Sequence, residues 1–183
     1  MHASVDDATT ATDRCASCGL PVEEGLPQCR RIFDEILAQH FSNRAYATIH
    51  RLFVDAYCLQ HPERGCISFK SFSTHATHMC WSLERGGSHA LPNEHIRSWV
   101  ERHADLEKPP LPGSRGTVTI ADVVRAEAPH EREQAVERWA RDVWRAYEEL
   151  HSTIRYWLDL AKGDDIEETP STRAGRRGRS HGG

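Results

Sequence analysis

Apolar residues recur along this chain at helical spacing and almost nowhere with the alternation of a strand. In CRRIFDEILAQHF, residues 29–41, Ile32, Phe33, Ile36 and Leu37 fall on one face. In RAYATIHRLFVDAYCLQ, residues 44–60, the stripe is Tyr46, Ile49, Leu52, Phe53 and Ala56. Ser42 or Asn43 stands where a cap belongs. That segment stops at His61-Pro62, because a residue before proline resists the helical region. A third helix is predicted over FKSFSTHATHMCWSLER, capped by Ser68 and ended at Gly86-Gly87. A shorter one near 93–103 turns Ile96, Trp99 and Val100 inward. After the proline-rich LEKPPLPGSRG, Thr119 caps the short IADVVRA. Pro129, at a first-turn position, opens the longest element, which carries Val136, Ala140, Val143, Tyr147, Leu150, Ile154 and Trp157 at helical spacing to about Ala161. The expected fold is therefore all-α: an antiparallel helical bundle with an N-terminal zinc-knuckle-like CxxC loop and a long C-terminal helix.

Length and composition narrow the picture. A chain of 183 residues suits one domain, read here as 14–162. Residues 1–13 form a polar, acidic leader and residues 163–183 a polar, then basic, tail; both lack apolar residues to bury and are expected to be disordered. No apolar run approaches the ~20 residues of a membrane helix. The leader MHASVDDATTATD has no basic or apolar signal region, so a cytoplasmic location is expected. In that compartment the six cysteines read as thiols or metal ligands rather than disulfides. A formal net charge of −4 makes no case for nucleic acid, and Arg173, Arg176, Arg177 and Arg179 read as a solvated cluster. Partners are expected to be proteins.

The chemistry concentrates in CASCG. Cys15 and Cys18 supply two thiolates from one tight turn, and Gly19 lets backbone amides turn toward them, as in a zinc knuckle. A redox pair would need a strand before Cys15 and a helix starting at it, while two inert thiols would need nothing. A zinc site requires two more ligands, and Cys29, His50, Cys58, His61, Cys66, His75, His78 and Cys80 are the candidates. His50 and His61 share a helical face, but about 16 Å apart along the axis, too far to hold one ion. A helical hairpin pivoting near residue 64 would place His75 across from Val54 and Asp55, His78 and Met79 across from His50, and His61 with Cys66 at the loop end. Cys58 and Cys80 read as small buried hydrophobes.

With CASCGL, Cys29, HRLFVDAYCLQHP, SFSTHATHMC, RGTVTIADV and HEREQAVERWARDVWRAYEELHSTIRYW in view, the chain resembles the DUF5946 family over roughly residues 14–160. In that family the first motif usually reads CPxCG; here it is CASCG, with the spacing kept. The family-like positions are Cys15, Cys18, Cys29, His50, Asp55, Tyr57, Gln60, His61 and His75. The resemblance imports no activity, but it implies that His50, His61 and His75 are more than surface histidines. A looser likeness to DinB-like metal-dependent bundles fails at their late HxxxH, since His130 is followed by Gln134 and His151 by Arg155.

Two functional readings follow. In the first, Cys15 and Cys18 bind Zn²⁺ with His61 and either Cys29 or His75, closing a structural site in a binding or regulatory protein. In the second, His50, Asp55 and His75 hold a metal with an open position and Tyr57 acts beside it, making a hydrolase or thiol transferase. Asp55 lies about 140° around the helix from His50, so it fits better as the partner of a His, or of an Arg such as Arg51 or Arg155.

Overall fold

The computed structural model describes residues 13–86, 93–103 and 105–167, with side chains omitted for Asn93 and 163–167. Residues 1–12 of the expected leader and the basic arginine cluster lie outside these bounds. Eight helices account for nearly all regular structure among the described residues: α1 (Leu26–Ser42), α2 (His50–Gln60), α3 (Pro62–Gly65), α4 (Phe69–Glu84), α5 (Asn93–Arg102), α6 (Ile120–Val124), α7 (Pro129–Ala146) and α8 (His151–Glu167). Single 3₁₀ turns at Arg44–Tyr46 and Glu148–Leu150 precede α2 and α8. The all-α expectation holds: the only β pairing described is one isolated bridge, Arg14 to Pro21.

Helix ends follow local chemistry. Ser68 and Ser71 form a reciprocal capping box at the start of α4. The Asp122 carboxylate accepts from the Thr119 backbone amide at the start of α6. Asn43 accepts from the Ala45 amide and so starts the 3₁₀ turn rather than α2 itself, which begins only at His50.

The helices pack around one core. α2 lies between α4 and α7, α8 packs on α4 and α5, and α6 sits against α7 and α1. Phe53, Tyr57, Leu59, Phe72, Met79, Trp99, Trp139 and Ile154 are among the fully buried side chains. Gln60 pins this core to the following loop: its amide donates to the Arg115 and Val118 carbonyls at 3.2 and 2.8 Å, and its oxygen accepts from Trp139 Nε1 at 2.9 Å. No described helix is long and apolar enough to cross a membrane.

The long C-terminal helix is corrected. It is two helices, broken at Tyr147 (φ −97°, ψ 17°). The Tyr147 hydroxyl donates to the Leu59 carbonyl at 2.7 Å, and His151 stacks on Trp144 while bonding its carbonyl. The break lets the chain change partners: α7 packs on α2, and α8 on α4 and α5. α8 runs on to Glu167, past the expected start of the tail.

Candidate metal centre

The first ligand pair comes from a turn that closes on itself. Arg14 and Pro21 bridge, the Cys15 amide donates to the Leu20 carbonyl and the Gly19 amide to the Cys15 carbonyl, both at 2.8 Å. Gly19 has φ 73°, in the left-handed region that glycine enters without steric cost. Cys29 comes from the first turn of α1, where its amide bonds the Gly25 carbonyl. His61 is the residue at which α2 stops, with Pro62 behind it preventing continuation.

These three segments bring Cys15, Cys18, Cys29 and His61 together, with one potential ligand atom from each, all within 4.8 Å of one another. His61 Nε2 lies 3.6 Å from Cys15 Sγ and 3.4 Å from Cys29 Sγ, and Cys18 Sγ lies 3.9 Å from Cys29 Sγ. Cys15, Cys29 and His61 are almost wholly buried. His61 Nδ1 donates to the Tyr57 carbonyl at 2.9 Å, which leaves the Nε2 lone pair facing the sulfurs. The Tyr57 ring stacks between His61 and Phe33 and holds that imidazole in place. At the rim, Ser17 hydrogen-bonds Glu63, tying the knuckle to α3.

The electrostatics of the group call for a cation. Hydrogen bonds from Cys18 and Cys29 pull the Cys15 thiol far below its ordinary value. Cys15 and Cys18 in turn push Cys29 far above it, because a further thiolate would join charge already gathered in a buried space. Burial opposes charge on His61, but its hydrogen bonds to Cys15 and Cys18 raise it to about 9. A divalent ion relieves this conflict by holding all the sulfurs ionised and the imidazole neutral. The requirement for a redox pair is not met, since the first helix begins at Leu26, well after Cys15.

His75, the expected alternative to Cys29, is elsewhere. Its Nδ1 bonds the Asp55 carboxylate at 2.7 Å, matching the hairpin register read from the sequence. Arg51 Nε holds Asp55 at 3.1 Å, and the Arg51 guanidinium donates to His78 Nδ1. Asp55 thus orients a His and pairs an Arg at once, fully buried. His50 is not part of this pairing: its ring lies 5.0 Å from Phe41 and 5.9 Å from His40. Tyr57 belongs beside the cysteine group, not beside Asp55; burial pushes its hydroxyl well above the ordinary value. The trio His50, Asp55 and Tyr57 therefore does not converge. Cys66 bonds the Cys58 carbonyl and Cys80 approaches Glu84, both buried.

Against known proteins, a family model, "Family of unknown function (DUF5946)", matches residues 13–148. The chain belongs to this family. No curated protein and no solved structure matches it significantly. The DUF5946 match takes in all four clustered residues and the Asp55–His75 pair, and ends at the break between α7 and α8.

Proposed function

We propose that this DUF5946 protein binds one Zn²⁺ through Cys15, Cys18, Cys29 and His61, and that the ion is structural, stapling the knuckle to α1 and to the α2–α3 corner of a module that binds protein partners. The carrying observation is the convergence of four buried ligand atoms from three separate segments. A tetrahedral zinc, with Zn–S about 2.3 Å and Zn–N about 2.0–2.1 Å, has S···S edges of about 3.8 Å and S···N edges of about 3.6 Å. The separations here are 3.9 Å for sulfur–sulfur and 3.4 and 3.6 Å for sulfur–nitrogen. Three thiolates and an imidazole suit zinc over the harder cations. All four positions are filled by protein, so no site is left for water or substrate, and the ion's contribution is folding energy.

The Asp55–His75 group does not favour a metal. The guanidinium of Arg51 already meets both Asp55 and His78 there, and its charge opposes a second cation.

Elemental analysis with thermal melting tests the proposal. One zinc per chain is expected in the wild type. Cys15→Ser and Cys29→Ser are expected to lose it and to melt on the order of 10 °C lower, while His75→Ala keeps it. Full zinc and an unchanged melting temperature in Cys15→Ser would overturn the assignment.

A further inference from the structure

Arg132 is a buried cation without an anion. It lies near the start of α7 and is only 9% exposed. Neutral groups alone meet its guanidinium. Nη1 donates to Gln39 Oε1 at 2.6 Å, Nη2 donates to the Ala126 carbonyl at 3.0 Å, and Cζ lies 5.1 Å from the Tyr46 ring centroid. Nε is buried with no partner, and no carboxylate pairs with the group among the described residues. Arginines are almost never this buried unless an opposite charge meets them.

The same residue lines a cavity of about 440 Å³ between the knuckle, α1 and α6, a size that suits a small ligand. Most of its wall is apolar: Leu20 and Val22 at the knuckle, Ile32 and Ile36 from α1, and the half-exposed Val124 from α6. Two other charged residues reach it. Arg125 is held by Asp122 at 2.6 Å, and Glu35 is exposed to solvent and makes no ion pair with Arg132. None of the four clustered metal ligands is in the wall.

We infer that this cavity binds a small apolar carboxylic acid, its hydrocarbon part against Leu20, Ile36 and Val124 and its carboxylate on Arg132. Gln39 also lines the cavity and is itself exposed, so an incoming carboxylate replaces the Gln39 oxygen on Nη1 without disturbing the core. A carboxylate takes two guanidinium N–H groups at once and cancels the charge; the amide oxygen here does neither. The exchange gives the buried cation its missing counter-ion. An alcohol or an amine of the same length gains nothing from it, and this sets the ligand class.

The test titrates octanoate, octanol and an acetylated tripeptide ending in a leucine carboxylate into the full-length, zinc-supplied protein at neutral pH. The readout is the NMR methyl signals of Leu20, Val22, Ile36 and Val124. Octanoate is expected to shift these signals with a Kd below about 1 mM, and to bind about tenfold more tightly than octanol. Arg132→Gln is expected to abolish that preference. Gln39→Ala, a change at an exposed position, is expected to strengthen octanoate binding about twofold by removing the competing oxygen. Octanol binding as tightly as octanoate, shifts confined to other methyl groups, or no saturable shift overturns the inference. Tighter binding of the peptide gives the cavity to a partner's C-terminus and overturns it as well. The comparison of octanoate with octanol is made on the wild type, so it decides even if Arg132→Gln does not fold. Zinc is measured on the same sample, so that an absent ion, which counts against the zinc site, is read apart from absent binding, which counts against the cavity.

Discussion

His40 is buried with neither ring nitrogen hydrogen-bonded, among Tyr46, Phe53 and His50. Burial, with His50 and Arg132 nearby, lowers it to about 4. An unsatisfied buried polar group costs about 1–3 kcal/mol. His40→Phe is therefore expected to stabilise the protein by about 1 kcal/mol, read as a higher urea midpoint at pH 7; a loss of stability would show that the nitrogens do have partners. At the same scale, the sequence named all four clustered residues but could not choose between Cys29 and His75. Both lay within reach of the knuckle on spacing alone. The Asp55–His75 bond settles where His75 goes, and the burial of Asp55 is the reason, since a buried carboxylate must be paired.

Among the elements, the α2–α4 hairpin was readable because its loop is short and its stripes are regular; Asp55 meets His75 and Arg51 meets His78 in the antiparallel register. The break between α7 and α8 was not readable. The apolar positions from Val136 to Trp157 continue in helical phase through Tyr147, so periodicity predicts one helix. Long-range bonds make the interruption: Tyr147 to Leu59, and the paired bonds, both 2.7 Å, from Arg155 to Glu84, which also accepts from Trp144. Tyr147→Phe should cost about 1 kcal/mol in chemical unfolding. A variant as stable as the wild type would mean that ring packing alone holds the corner.

For the whole molecule, three histidines shape the response of stability to pH: His40 and His78, which are buried, and His75, which is partly so. His40 and His78 are lowered to about 4, chiefly by burial, so the unfolded chain binds more protons between about 4 and 6.5 and stability falls as the medium is acidified through that window. His75 is raised to about 9: burial opposes its charge, but the bonds to Asp55 and Cys58 outweigh it. Its contribution is complete below about 6.5 and is lost as pH rises through 9. Urea midpoints of the zinc-supplied protein should therefore peak near pH 6.5 and fall on both sides. In His75→Gln the alkaline limb should flatten while the acid limb stays; an unchanged alkaline limb would assign it to another group.

The sequence by itself determined the helical class, the helix starts at Ser68, Thr119 and Pro129, the halt at His61-Pro62, and the CxxC turn. Each of these rests on interactions between residues a few positions apart: caps, periodic stripes, a proline's excluded conformation, a glycine's permitted one. The tertiary structure alone decided which distant side chains meet. It joined Cys29 and His61 to the knuckle, gave His75 to Asp55, and split the last helix at Tyr147. Those outcomes depend on how buried polar groups from separate helices find partners once the core has closed, and nothing in the local pattern of the chain carries that information.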